Sequence, residues 1–579
     1  MQTHVHLRTV CTRNPEGESL GTITPGSAQD EPTQAGLLVA TALALNGCGG
    51  SSDSNPAPAP VPTPTPVPPA DTIGSADAAR FVLQASLSVS EADIARVKAL
   101  GYSAWLDEQI ALPRTTSHWD WMISKGYQSD VNNINSFRGA DNTIWRKLLS
   151  SPDGVRQRMV MALSEIFVVS MAGLPVPWRS FCVAAYVDIL EANAFGTYRN
   201  LIEAVTLSTA MGNYLNMRGN RLEDPATGRV PDENYAREIL QLFSIGLTEL
   251  NTDGSAKLGA NGKPLESYIQ ETVTGLAKVF TGWDYTQFNR DTPNFQQLPM
   301  SLIASRHSTQ EANFLGTTVA AGTAGGQALK IALDTISAHP NVGPFLCRQL
   351  IQRLVTSNPS NAYVGRVAAV FADNGNGMRG DLKAVFKAIL LDAEARLRPG
   401  QQGTSWGRLR EPMLRLVQWG RTFGVTSPTD AWNIGDTSDP SQRLGQSPFR
   451  SPSVFNFFRP GYVPPNTALG SQSLVAPELQ ITNESTVVAY ANFMQTAIQN
   501  GVGEVKTSYT PWLATAGDAS TLIDNLSLLL SGGQFSSATR ATITSAVASI
   551  DAASDAGKLN RVQAAILLIM TAPEYLVQK

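Results

Sequence analysis

Apolar residues recur every three to four positions along most of the chain from Asp71 onward, and strictly alternating runs are scarce. That period is one turn of an α-helix, so the pattern predicts helices and few strands. A helix is expected from Ser75 to Ala85. Ser90-Glu91-Ala92-Asp93 has capping-box spacing ahead of Ile94, Val97 and Leu100, and Gly101 supplies a stop. Ser151-Pro152 offers an N-cap and a first-turn proline before the stripe Val155, Met159, Leu163 and Ile166. Further helices are predicted over 181–193, 200–211, 341–356, 362–372, 381–392 and most of 485–579. Pro231-Asp232 starts one that turns Tyr235, Ile239, Leu242 and Phe243 inward and ends near Gly246. Ser267 and Gln270 open another, carrying Ile269, Val273, Leu276 and Phe280 and stopped near Gly282. Asn251–Gly254 is a turn signal for a small hairpin reaching Gly262-Lys263-Pro264, while 284–325 and 435–465 read as irregular. The predicted fold is mainly α: a large multi-helix orthogonal bundle with long irregular loops and at most a small β-hairpin. No linker interrupts 71–579, which is expected to be a single large helical domain or two lobes split near 397–410.

The first seventy residues break this pattern. Residues 35–47 form an apolar run too short to span a bilayer but suited to a signal-peptide core, so 1–47 reads as a leader. Leu45-Asn46-Gly47-Cys48 resembles a bacterial lipobox, which makes Cys48 the expected site of lipidation. Residues 48–70 continue as a Gly/Ser segment and then a proline-rich stalk, a polyproline II spacer that buries no apolar surface. At roughly 3.1 Å per residue it could hold the body up to about 60 Å from a membrane. Asp30 and Glu31 stand where a basic segment belongs, so residues before about 34 read as a mis-assigned start or an altered leader. The bland alternative makes Cys48 an ordinary cysteine of a disordered N-terminus. The expected address is a lipoprotein in the periplasm or on the outer membrane or cell surface, partnered with the membrane through Cys48.

Composition changes the picture in two places. The hydrophobic fraction is 42%, the charged fraction 16% and the net charge -4, with no run of Lys and Arg, so nucleic-acid binding has no electrostatic footprint. Of the 4 cysteines only Cys182 and Cys347 lie in the body, which excludes a disulfide-built scaffold and leaves one bridge or two buried thiols.

Several segments carry a family resemblance. They are Asn234-Tyr-Ala-Arg-Glu238-Ile-Leu-Gln-Leu-Phe-Ser-Ile-Gly246, Phe280-Thr-Gly-Trp283, His339-Pro340 leading into Cys347-Arg-Gln-Leu-Ile-Gln-Arg353, the stretch Arg379–Asp392, and Ala572-Pro-Glu-Tyr575. Each is weak alone. In this order they resemble the bacterial family called domain of unknown function 1800, over about 76–579. The resemblance implies an exported, mainly helical protein whose genes often neighbour those of a second exported family, domain of unknown function 1501, an expected partner. It transfers no catalytic residue. Ser308 follows His307 where many relatives are expected to carry an acid, so no His–carboxylate pair is carried over there.

Candidate chemistry is sparse. Glu233 and Arg237 are one helical turn apart, and Asn234, Glu238 and Gln241 share a polar strip. A glutamate held by an arginine can act as a general acid or base or as an anion clamp; the same pair can simply lock helices together. The body's histidines, His118, His307 and His339, lack metal-ligand spacing, so no metal site and no cofactor are predicted. His307, near Glu311, is the candidate site histidine, whereas His339 before Pro340 suits helix capping. Asn234, Trp283, His339 and Arg348 are candidate ligand or cleft residues. Asp373–Asp381 lacks a calcium-loop pattern and reads as a connection with Asp381 as N-cap. The aromatic loop 447–462 either lines a cleft or wraps the core. Nucleophile-elbow, phosphate-loop and dinucleotide glycine patterns do not appear in a strand–turn–helix context, so the reaction classes they mark lack support.

Two functions are therefore expected. The first is an envelope-tethered scaffold, assembly or surface-display partner of another exported protein. The alternative is an envelope hydrolase acting on polymer or peptide through Glu233 or Glu238 with His307. An enzyme should gather Arg237, Glu238, Trp283 and His307 around one pocket, whereas a scaffold should scatter them and expose apolar surface.

Overall fold

The computed structural model describes residues 73–579; the leader, Cys48 and the proline-rich stalk lie outside the described residues. The described chain forms twenty-two α-helices and three two-stranded antiparallel sheets. No described helix is long and apolar enough to cross a membrane.

Local signals place most helix ends. Ser90 and Asp93 close a reciprocal capping box on Glu91–Leu100, and Gly101 ends that helix at φ 81°. Asp381 caps Leu382–Leu391 by accepting the Ala384 N–H. One start moves: the helix expected from Pro152 begins at Gly154, because Ser151 turns its hydroxyl onto the Asp153 carboxylate. The segment 200–211 is also broken, into Tyr198–Leu207 and Thr209–Tyr214, where Ser208 caps the second helix. Residues 251–264 give isolated bridges, including Leu250 with Ala256 and Leu258 with Pro264. The named strand pairs form elsewhere, two of them inside the stretch read as irregular: Trp283–Asp284 with Ser301–Leu302, and Ala312–Phe314 with Thr317–Val319.

The core is organised around Arg179–Asn193, buried around nearly its whole circumference and packed by His118–Ser124, Ala140–Ser150, Gly154–Ser164 and Tyr198–Leu207. A helix apolar on all sides can only be a central one. The two ends of the body meet: Ser75–Ala85 packs on Ala519–Ser531, and Val577–Gln578 pairs with Arg408–Leu409. Gln270–Val279 approaches the Ala312–Phe314 strand so closely that a Cβ on Gly275 would stand 2.0 Å from the Asn313 carbonyl oxygen.

Charged groups also enter the core. Arg408 Nη2 reaches Glu411 at 2.6 Å and Glu478 at 2.9 Å, and its Nη1 donates to the Arg353 carbonyl at 2.6 Å. Arg353 pairs with Glu165 at 3.4 Å, and Gln446 donates to Glu411 at 2.8 Å. Burial alone would raise the Glu411 carboxyl, but the Arg408 charge and its neighbours hold it at about 2. Glu165 goes the other way, raised first by burial and then by the Glu411 charge. Glu411→Gln removes one of the two carboxylates on Arg408 and leaves Glu478 alone to balance it among the other buried guanidinium groups, so it should cost about 3–5 kcal/mol. The measurement is the chemical-denaturation midpoint, and an unchanged midpoint would show that this network does not hold the body together.

Candidate functional site

An open cleft of about 1180 Å³ has one face of Val342–Leu354 as its floor. Phe345, Arg348, Gln349 and Gln352 project from that face at the i, i+3, i+4, i+7 spacing of a helical stripe. Gly246, at φ 71°, lets the Phe345 ring sit where a Cβ would be 2.6 Å away, so the wall 246–254 can close on the floor. The opposite wall comes from 455–463, at the end of the aromatic loop, and from 473–475. It is pinned by Gln352 donating to the Pro460 carbonyl at 3.4 Å and by two bonds between Asn358 and the Val475 backbone, at 2.9 and 3.0 Å.

The lining is apolar and aromatic with a positive bias. Trp406, Phe455 and Tyr462 supply rings, and Trp406 stacks on Tyr363 at 6.5 Å. Arg348 bonds only neutral oxygens, on Gly254 at 3.3 Å and Asn361 at 3.0 Å. Arg459 lies over the Phe455 ring at 4.6 Å, with no carboxylate oxygen of the described residues within 4.0 Å. The single lining carboxylate, Glu394, is already held by Arg366 at 3.0 Å and by Ser360. Gln349 Nε2 and Trp406 Nε1 are buried donors without a partner, on residues 7% and 9% exposed. Such donors are sites waiting for an acceptor.

Of the candidate polar residues singled out from the sequence, Arg348 and Gln241 line this cleft, and the others do not. Glu233 binds Arg237 at 3.1 Å, Gln270 at 2.8 Å and Thr274 at 2.9 Å, a network joining two helices. Asn234 is the first residue of its helix, its N–H taken by Asp232 at 2.8 Å. Glu238 is buried, its carboxyl raised by that burial and only partly restrained by Arg237, and its Oε2 has no partner. Trp283 is buried in a strand pair with Nε1 unpartnered. His307 Nδ1 meets the Thr281 carbonyl at 3.0 Å, and no hydrogen bond or ion pair joins it to Glu233, Arg237 or Glu238. Ser308 donates to Glu223 at 3.0 Å, so the serine that follows this histidine meets an acid supplied from another segment. His339 Nδ1 accepts the Asn341 N–H at 3.2 Å at the head of Val342–Leu354. The aromatic loop does both things expected of it, burying Phe449 and Phe458 while Phe455, Arg459 and Tyr462 line the cleft.

One group escaped the sequence reading because its members lie far apart. His118, Asp188 and Glu191 offer ligand atoms within 4.8 Å of one another. Lys147 Nζ already binds both Glu191 oxygens, at 2.5 and 2.6 Å, and Asp188 accepts the His118 and Trp119 N–H groups at 2.8 and 2.9 Å. The ammonium takes the role a metal cation would have, and the cluster is a buried ion pair that fixes a helix start. Cys182 and Cys347 are separate buried thiols, with Cys182 raised to about 12 by burial.

The family described as protein of unknown function (DUF1800) matches residues 80–577. No curated protein and no solved structure matches the chain.

The Asp188 carboxylate points inward at the two amides, and burial raises it to about 6 despite them. Its folded value exceeds the unfolded value of roughly 3.9, so its stability is complete below about pH 4 and is lost as pH rises through about 6. His118 has the opposite sign. Burial lowers it well below its ordinary value, so its contribution is present above about pH 6.5 and is lost as pH falls. Asp188→Asn should therefore remove only the decline between about pH 4 and 6, of the order of 2 kcal/mol. Urea midpoints of both proteins across that range decide it, and parallel curves would refute the assignment.

Proposed function

The chain belongs to the DUF1800 family, and from that premise we propose that it is an envelope-tethered binding protein that holds an extended, acidic segment of a second exported protein. The observation that carries this reading is the cleft, with aromatic walls, unpartnered buried donors and two arginines that form no ion pair within 4.0 Å among the described residues, Asp253 acting on Arg348 only from farther away. An extended polypeptide supplies what such walls lack: carbonyl acceptors for Gln349 and Trp406, side chains for the aromatic pockets, and carboxylates for Arg348 and Arg459. Exposed Leu247, Leu258, Leu265 and Ile269, on and beside the irregular ladder at the cleft rim, would extend the contact. The expected partner is an exported protein of the domain of unknown function 1501 family.

A hydrolase is the second reading. It draws on Glu238, a buried carboxyl with a raised pKa that lies near the unpartnered Tyr268 hydroxyl. Neither residue lines the cleft.

A panel of short acidic, neutral and basic peptides rich in aromatic residues separates the two. Acidic members should bind the full chain and be recovered intact by mass spectrometry. Arg348→Ala and Arg459→Ala should each weaken binding about tenfold, while Glu238→Gln leaves it unchanged. Cleaved peptide lost in Glu238→Gln would favour the hydrolase, and equal binding of basic and acidic peptides would overturn the proposed recognition.

The tether has its own test. Cys48→Ser should move the protein from the membrane to the soluble fraction of lysed cells; continued membrane association would remove the lipid anchor from the proposal.

A further inference from the structure

Beside the Arg408 network, the core holds three more guanidinium groups that no carboxylate answers. Arg410 gives its Nε to the Tyr575 carbonyl at 2.9 Å and lies over that ring at 5.3 Å. Arg415 gives its Nε to the Arg410 carbonyl at 2.8 Å and lies over Tyr490 at 4.6 Å. Arg158 gives one Nη2 to the Arg353 carbonyl at 2.6 Å. They are 7%, 6% and 3% exposed, and among the described residues no carboxylate oxygen comes within 4.0 Å of their nitrogens. With Arg353 and Arg408, five guanidinium charges face the three carboxylates Glu165, Glu411 and Glu478. At least two buried positive charges are uncompensated, which is strongly unfavourable in a low-dielectric interior.

Arg158, Arg408, Arg410 and Arg415 line one small cavity of about 30 Å³, together with Glu411. Both Glu411 oxygens are already engaged, by Arg408 at 2.6 Å and Gln446 at 2.8 Å. The cavity also borders the first turn of Pro412–Thr422, whose positive end adds to the field.

We propose that this cavity binds one monovalent anion of halide size, which takes the free N–H groups of Arg158, Arg410 and Arg415 and neutralises part of their charge. The cavity is small, and a compact single-atom anion suits it better than a larger tetrahedral oxyanion. Neutral water could satisfy the donors but not the charge. The anion would be structural, joining the Arg158 helix, the 408–415 segment and the C-terminal Gln578 at one point.

Bromide is the probe. Full-length protein moved into gluconate and titrated with bromide at constant ionic strength should gain about 2–5 °C in Tm by a hundredfold excess over Kd, and the gain should saturate. Arg415→Gln should abolish the dependence. Crystals of the unaltered chain grown in bromide should show an anomalous peak between Arg158, Arg410 and Arg415, which keeps the test open if the variant does not fold. Equal Tm in bromide and gluconate, an equal gain from sulfate, or no bromide peak in the cavity would each overturn the proposal.

Discussion

Placing fixed positive charge inside a protein is expensive, and this fold does it repeatedly around one cavity in the core. Arg408 is the hub of that cluster. It binds Glu411 three residues on, Glu478 seventy residues on and the carbonyl of Arg353 fifty-five residues back. A guanidinium fork presents its donors in a fixed plane, so three partners on it fix three segments of backbone relative to one another. Apolar contacts elsewhere tolerate small slides; this junction does not. Its neighbours then inherit the constraint: Arg158 must reach the same Arg353 carbonyl, and Gln446 must reach Glu411.

The cleft depends on that junction through a single helix. Val342–Leu354 turns Arg353 toward the buried charges and presents Phe345, Arg348, Gln349 and Gln352 to the cleft. Fixing one face of a rigid helix fixes the other. The far wall has no regular structure of its own, and its position comes from side-chain to backbone bonds made by Gln352 and Asn358. Binding surfaces built on loops over a rigid floor are a common solution, because the loop sets what is recognised and the floor sets where.

Legibility in the sequence followed the range of the interaction. The capping boxes and stops at Ser90, Gly101 and Asp381 act within four residues, and those helix ends formed where expected. The start at Gly154 was displaced because Ser151 bonded Asp153 in place of the expected backbone N–H. The strand pairs inside 284–325 left no trace in periodicity, since runs of two or three residues are too short to alternate. Arg348 and the aromatic loop 447–462 drew attention as an arginine on a helix and a run of rings in a loop. Nothing local could have announced that they share a cleft, or that Ser308 finds its acid at Glu223.

The sequence by itself determined that this chain is helical, where many of its helices begin and end, and which family it resembles. These are properties of spacing and of ordered motifs, which survive in one dimension. The tertiary structure alone decided that Glu233 serves a helix–helix network and that His118, Asp188 and Glu191 meet around Lys147. It alone surrounded Arg410 and Arg415 with no anion of their own. Charge pairing and cavity lining depend on distances between segments far apart along the chain, and only the packed core sets those distances.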